Sequence, residues 1–135
     1  MTRFLRQPDS FSCGPVALLN LDKWRGIKVT AKNLPQYKRL CKCSTEVGTY
    51  PSQLDRVLGK RGRRLSYQQF KAHHGAAIID FTVRNGGHFF LVIGWGTNGK
   101  DFGWVAINSK HTINLISAQG MRSILRSSKV WTFSK

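Results

Sequence analysis

The chain has 135 residues and carries 22 lysines and arginines against 6 acidic residues, which gives a formal net charge of +16. This length fits one compact domain, and a hydrophobic fraction of 41% with 11% aromatic residues predicts a globular fold. Every apolar run is shorter than the roughly 18 residues of a membrane span, so we expect a soluble protein without a transmembrane segment.

The first residues and the number of cysteines indicate the cellular compartment of the protein. Residues 1–6 lack the long apolar region of a secretory signal, and three cysteines, an odd number, fit a reducing compartment better than a disulfide framework. We therefore expect a cytoplasmic protein, and a source in a virus or mobile element is an open alternative. The positive charge predicts attraction to polyanions, nucleic acid or an acidic protein partner among them. A merely solvated basic surface is the other interpretation.

The first predicted element is a helix that begins near Cys13. Ser12 is a candidate N-cap, and Pro15 is tolerated within a first turn. At such a position the unpaired backbone N–H groups and the positive end of the helix dipole favour the thiolate, which is the reactive form. The same N–H groups can bind a developing oxyanion, with the Gln7 amide as a second donor if the loop folds back. Cys13 is therefore a candidate nucleophile, and a buried structural cysteine is the alternative.

Two more helices are predicted before residue 62. One begins near Asn33 and has an apolar face that includes Leu40, and the next spans residues 48–58 with Thr49 as its cap and Gly62 after its end. A cluster of cations lies at the C-terminal end of the third helix, where positive charge suits the helix dipole. These candidate polyanion contacts are Arg56, Lys60, Arg61, Arg63 and Arg64.

Two cysteines follow the second predicted helix. Cys41 and Cys43 are too close to bridge comfortably, and no second such pair accompanies them. We expect both to be ordinary thiols. A zinc site completed by His73 and His74 is a weak alternative, because neighbouring histidines tend to diverge.

From residue 76 the pattern changes to that of strands. Residues 76–84 and 88–95 are rich in β-branched and aromatic side chains and are divided by an Asn-Gly-Gly turn at Asn85. A second Asn-Gly turn at Asn98 precedes a third strand at 102–108. These segments predict an antiparallel meander.

The last part of the chain completes the sheet. A strand around 112–116, a short helix at 117–125 and a final strand at 129–133 are predicted. Helices first and strands afterwards are typical of the α+β class. We expect a single domain, with a helical part over about 1–62 and an antiparallel sheet over about 63–135.

A base and its orienting partner are found among the predicted strands. His88 opens the central strand after two glycines, and Asn108 ends the adjacent strand, where its amide could hold the imidazole by a hydrogen bond. Asp101, at a hairpin tip, is an alternative orienting residue. A structural histidine is the other interpretation of His88. Weaker candidates for the base lie in polar, turn-like surroundings: His73, His74 and His111.

Together these residues resemble a papain-like cysteine peptidase, and most closely the bacteriocin-processing, double-glycine leader peptidase family. They occur in the family's order over nearly the whole chain. The residues that carry the resemblance are Gln7, Cys13, Gly14, Pro15, Gly48, Thr49, Gly87, His88, Phe89, Asn108 and Ser109. The chain departs from the family at Asn108 and Ser109, where the leader-peptidase relatives usually carry Asp-Pro.

The resemblance implies a thiol peptidase that forms an acyl-enzyme and hydrolyses a peptide or isopeptide bond, without a metal or other cofactor. Cys13 would be the nucleophile, His88 the general base and acid, and Asn108 the orienting residue. Gln7 and the Cys13 backbone N–H would be the oxyanion donors. The alternative is a non-catalytic or accessory basic protein of the same fold that binds nucleic acid or an acidic partner.

Overall fold

The structure, a computed structural model, describes residues 3–83, 86–107 and 113–134. Helices dominate its first half and strands its second. The helices are α1 (Cys13–Trp24), α2 (Leu34–Leu40), α3 (Pro51–Leu58), α4 (Tyr67–Ala72) and α5 (Ala118–Leu125), with a 3-10 turn at Ala31–Asn33. The strands are β1 (Ala76–Val83), β2 (Gly86–Thr97), β3 (Phe102–Ile107), β4 (Asn114–Ile116) and β5 (Ser128–Phe133).

The strands form one antiparallel sheet in the order β4-β3-β2-β1-β5, with β2 at its centre. The predicted α+β class and antiparallel meander are therefore confirmed. The turn predicted at Asn85 falls partly outside the described residues, as does the start of the strand predicted at 112. The outer edge of β5 is covered in part, because Arg63 pairs with Val130 in an isolated antiparallel bridge.

Helix α1 lies between the sheet and α2, which explains why apolar side chains occur on both its sides. Ala17 and Leu21 pack with Ile78 and Leu91 on one face of the sheet. Val16 and Leu19, on the other side of the helix, pack against Leu34 of α2. The opposite face of the sheet is covered by α4 and α5 through Phe70, Met121 and Leu125.

The antiparallel register gives the sheet two distinct ends. We call one the thiol end, where Asp80 of β1 pairs with Phe89 of β2 and where α1 begins. We call the other the aromatic end, where Trp95 pairs with Trp104 and Ala76 with Phe133. Since α1 has 12 residues and rises about 1.5 Å per residue, its first and last residues are roughly 17 Å apart.

Three local predictions were wrong. Leu40 is 54% exposed, because α2 ends there and Cys41 takes the buried position. Thr49 does not cap α3, since the N-cap residue is Tyr50 and Thr49 is buried. The predicted end of the third helix at residue 58 is confirmed, but the glycine that closes it is Gly59 and not Gly62, because Gly59 adopts the left-handed conformation (φ +68°).

Helix α4 was not predicted, although the sequence contains a signal for it. Ser66 accepts a hydrogen bond from the Gln69 N–H, and the Gln69 side chain accepts one from the Ser66 N–H. This reciprocal pair is a capping box, which a Ser followed three residues later by Gln can indicate. Phe70 then buries the helix against Trp104.

Candidate active site

The thiol of Cys13 lies at the first residue of α1, as predicted, and the residue is only 9% exposed. Burial raises the pKa of the thiol above its ordinary value of 9.0. Backbone N–H groups of Phe89, Gly14 and Cys13 itself act in the opposite direction, and the charge of Asp80 raises the pKa further. The helix terminus therefore favours the thiolate as expected, but desolvation outweighs it.

His88 lies in the strand that approaches this thiol. It is the residue directly before Phe89, which packs with Cys13 in one buried cluster and whose backbone N–H lowers the pKa of the Cys13 thiol. The imidazole is half-buried and stacks on the Phe90 ring, with 6.1 Å between ring centroids and 22° between ring planes. The structure thus brings the chain at His88 to the nucleophile candidate.

The predicted orienting residue, Asn108, lies outside the described residues. Strand β3 ends at Ile107, directly before it, and Ile107 pairs with Leu91 of β2. The strand adjacent to that of His88 is therefore the predicted one. Asp101 is wrong as an alternative, because it belongs to the hairpin at the aromatic end. Its backbone N–H donates to Asn98 Oδ1 at 2.7 Å there.

The segment that carries Gln7 is fixed on both sides. The Asn20 side chain accepts from the Leu5 N–H at 2.7 Å and donates to the Leu5 carbonyl at 3.1 Å. Asp9 Oδ1 accepts from the N–H groups of Phe11 and Ser12 at 3.1 and 2.9 Å. Both polar atoms of the Gln7 amide are buried and have no hydrogen-bond partner within the described chain. An amide held in this way is available to an incoming group.

Ser12 is the residue before α1, as predicted, but its side chain does not cap the helix. Its hydroxyl is buried without a partner among the described residues. The backbone conformation explains this, because φ −98° and ψ 22° lie outside the extended region from which an N-cap side chain reaches the first turn.

Two further polar residues at the thiol end were missed. Thr49 lies against Gly14, where an added Cβ would come within 2.8 Å of Thr49 Oγ1, and this buried hydroxyl also lacks a partner in the described part of the chain. Asp80 is 4% exposed, and burial raises its pKa to about 6 although the charge of Lys129 lowers it. The signal for Asp80 was a single acid within an apolar strand.

The other cysteines are placed as ordinary thiols. Cys41 is fully buried, and burial raises its pKa to about 12. Cys43 is half-buried and its Sγ donates to the Phe11 carbonyl at 3.3 Å. Within residues 3–83, 86–107 and 113–134, no group of three or more His, Cys, Asp and Glu side chains could hold a metal ion. His73, offered for a zinc site, bonds instead to the Phe133 carbonyl at 3.0 Å.

The predicted basic cluster is exposed, and its members are Arg56, Lys60, Arg61, Arg63 and Arg64. Partial burial lowers the pKa of Lys60, and the neighbouring charges of Arg25 and Arg63 lower it further. Lys60 donates to the Thr132 carbonyl and lies over the Phe133 ring. Positive charge is therefore concentrated beside β5.

Among the described helices none is long and apolar enough to cross a membrane.

Solved structures resemble this chain closely in fold. A double glycine motif protease from an AMS/PCAT transporter, crystallised in complex with the leader peptide, matches with a TM-score of 0.73 at 15% identity, over 94% of this chain and 87% of that one. This chain therefore shares the fold of that protease domain. The peptidase domain of Streptococcus ComA, a bi-functional ABC transporter involved in a quorum sensing pathway, matches at 0.70 and 13% identity over 100% of both chains.

These matches confirm the predicted papain-like fold, which extends over nearly the whole chain. No family model matches the chain, and no curated protein matches it.

Proposed function

We propose that the protein is a cysteine peptidase in which Cys13 is the nucleophile and His88 the general base and acid. The observation that carries this proposal is the position of the thiol. Cys13 is the first residue of α1, and Phe89, the residue next to His88, packs with it in one buried cluster. Covalent acyl transfer needs a nucleophile and a base that can take its proton, and His88 is the candidate base on the chain beside Cys13.

The proposed reaction begins with a proton transfer. His88 takes the thiol proton as the Cys13 sulfur attacks the carbonyl carbon, and the resulting oxyanion accepts hydrogen bonds from the Cys13 backbone N–H and the Gln7 amide. His88 then gives the proton to the leaving amine, which breaks the C–N bond and leaves an acyl-enzyme. His88 then takes a proton from water as the water oxygen attacks the acyl carbon, and it returns that proton to the Cys13 sulfur as the C–S bond breaks and the acid leaves. Asn108 would orient the imidazole.

The unpartnered amide of Gln7 supports its role as an oxyanion donor. A buried amide without a partner costs about 1–3 kcal/mol, so its retention between two fixed points of the chain calls for a group that it can bond. A substrate oxyanion beside the α1 N-terminus would supply that group, since it is an acceptor for the Nε2 hydrogens.

The raised pKa of Cys13 fits a mechanism in which the base acts during attack. Because burial raises the pKa of the thiol, the sulfur becomes nucleophilic when His88 accepts its proton during attack. Loss of the base should then be nearly as harmful as loss of the sulfur. Attack of an amine in place of water on the acyl-enzyme would use the same groups.

For the substrate, we propose a peptide that is cut after two glycines, because one structural neighbour is a double glycine motif protease bound to a leader peptide. The test is hydrolysis of synthetic peptides with a Gly-Gly junction, compared with peptides in which alanine replaces each glycine, and followed by mass spectrometry. Wild-type protein should release the fragment after the second glycine, and Cys13→Ala should release none.

Cys43→Ala is the matched control, because it also removes one thiol while leaving Cys13 in place. It should cleave as the wild type does. Cleavage by Cys13→Ala, or cleavage lost equally in Cys43→Ala, would refute the assignment of the nucleophile.

A second candidate function rests on the charge concentrated at Arg25, Lys60 and Arg63. The protein would then dock its basic cluster on nucleic acid or an acidic protein, with or without catalysis. Such binding should weaken steeply with salt and be indifferent to Cys13→Ala. No binding of either polyanion at low salt would refute it.

A further inference from the structure

A groove of about 800 Å³ opens at the aromatic end of the sheet, away from Cys13. It lies beside the C-terminus of α1, between the ends of β1 and β2 on one side and α4 and α5 on the other. Neither proposed function uses it. The side chains that characterise its walls are Trp24, Tyr67, Lys71, Trp95, Trp104 and Arg122.

The aromatic rings in this groove are held in fixed positions. Trp104 is only 7% exposed, and its Nε1 donates to the Tyr67 hydroxyl at 3.2 Å. Trp95 meets the Trp104 ring edge to face, with centroids 5.4 Å apart and planes at 82°. Trp95 itself is 52% exposed. One ring is therefore buried as a support, and a second presents an open surface to the groove.

A break in the strand register accounts for the position of Trp95. The pairing of β2 with β3 shifts between Val92 and Trp95, and Gly94 within this bulge has φ +127°. A side chain at that position would be strained, and a bulge redirects the residues that follow it. The exposed tryptophan thus results from a specific backbone feature.

The groove is also positively charged. Arg122 lies over the Tyr67 ring at 4.5 Å, and Lys71 is exposed at the wall. Among the described residues that line the groove, none is acidic. His73, another lining residue, bonds to the Phe133 carbonyl, and Lys60 of the basic cluster lies over the Phe133 ring. Arg25, directly after the lining residue Trp24, lies over the same ring at 5.0 Å, so cations follow one another from the edge of the groove to the basic cluster.

We propose that this groove binds single-stranded nucleic acid, with a base stacked on Trp95 and adjacent phosphates at Arg122 and Lys71. An exposed aromatic face next to a positively charged path is the combination by which proteins hold single strands without reading sequence. A cationic ligand is disfavoured by the positive wall, and a duplex cannot offer an unstacked base. The inference goes beyond both proposed functions, because it assigns a ligand to residues that neither of them uses.

The test uses the full chain and a fluorescein-labelled oligothymidylate of about 12 nucleotides, within the usual site size of such proteins. Binding is followed by anisotropy at low salt and at increasing salt. Trp95→Ala should weaken binding roughly tenfold, since it removes the stacking platform, and Trp95→Phe should restore part of it. Arg122→Gln should reduce the slope of log K against log salt by about 0.7, the loss of one phosphate contact.

The matched control variants remove the same kinds of side chain at positions outside the groove. Tyr50→Ala removes another exposed aromatic ring and Arg39→Gln another exposed cation. Tyr50→Ala should bind as the wild type does, and Arg39→Gln should leave the salt slope unchanged. Circular dichroism confirms that each variant is folded.

Three outcomes would overturn the proposal. The first is no binding at low salt. The second is that Trp95→Ala binds the oligonucleotide as tightly as the wild type does. If Arg63→Gln weakens binding in that case, the basic cluster alone binds the polyanion. The third is displacement of the oligonucleotide by a Gly-Gly peptide in Cys13→Ala protein, which would mark the groove as a peptide site.

Discussion

The two ends of the sheet differ in how their buried polar groups are treated. At the aromatic end these groups are bonded, since Trp104 donates to Tyr67 and His73 bonds to the Phe133 carbonyl. At the N-terminus of α1, the described chain leaves buried polar atoms of Gln7, Ser12 and Thr49 without partners. Unpaired buried polar groups are costly and rare in folded proteins, so three such residues, in the segment that leads into α1 and against Gly14, distinguish this end of the helix from the bonded aromatic end.

The comparison also separates two kinds of chemistry. The thiol end holds a buried sulfur and a buried carboxyl whose pKa values are both raised by desolvation. The aromatic end presents an exposed ring among cations. Desolvated titratable groups suit bond-making steps, whereas exposed rings and fixed charges suit binding. One sheet thus holds a candidate reaction site and a candidate binding site at opposite ends.

The largest expected effect concerns the histidine at the thiol end. His88→Ala should lower kcat/KM for Gly-Gly peptide cleavage by roughly 10²–10⁴-fold, the usual contribution of general acid–base catalysis. Asp101→Ala, which alters an acidic residue in the hairpin at the other end, should leave kcat/KM unchanged. Equal losses in both variants would mean that the two ends do not differ in catalytic role.

A smaller effect is expected for the buried carboxyl. Because the pKa of Asp80 rises from 3.8 to about 6 in the folded protein, the folded state holds this proton more tightly than the unfolded state. The free energy of unfolding should therefore fall as pH rises through this interval, by about 2–3 kcal/mol from this group. Asp80→Asn should remove that dependence and stabilise the protein at pH 7, as measured by urea unfolding at pH 4 and pH 7.

The same substitution should also change the thiol. The charge of Asp80 raises the pKa of Cys13, so Asp80→Asn should shift the pH profile of Cys13 alkylation to lower pH. Glu46→Gln, which removes an exposed acid, is the control. An unchanged alkylation profile in Asp80→Asn would show that the carboxyl does not influence the nucleophile.

The smallest expected effects come from removing one hydroxyl group at each end of the sheet. Thr49→Val replaces an unpartnered hydroxyl by a methyl group of the same shape and should stabilise the protein by about 1 kcal/mol. Tyr67→Phe removes the hydroxyl to which Trp104 donates and should destabilise it by about 1 kcal/mol. Urea unfolding of both variants gives the sign of each change in the free energy of unfolding. Changes of the same sign would contradict the contrast between the two ends of the sheet.

Local signals in the sequence were sufficient for much of the fold and for the nucleophile's place. The start of α1 at Cys13 and the strands around His88 were predicted because a Pro-containing helix start and runs of β-branched residues have strong local preferences. The direction in which the pKa of the Cys13 thiol shifts was not predicted, because the burial of the thiol depends on which strand packs against α1. The same holds for Thr49, whose role as a neighbour of Gly14 follows from tertiary packing and not from its place before a helix.

Asp80 shows a second limit. An acid in an apolar strand was visible in the sequence, but only the register of β1 against β2, which pairs it with Phe89, places it beside the thiol. The aromatic end was missed for a related reason, since Tyr67, Trp95 and Arg122 come from three distant segments. The composition of a segment can indicate that it is a strand, but it does not show which residues of two strands lie opposite each other in the sheet.

The most direct test of Cys13 as an activated nucleophile is reaction with a peptide electrophile that ends in Gly-Gly, such as a peptidyl vinyl sulfone, followed by intact-mass and peptide mapping. The wild-type protein should form one adduct, at Cys13, and His88→Ala should form it much more slowly. Adducts that form at Cys43 as fast as at Cys13, or at a rate indifferent to His88→Ala, would contradict the account.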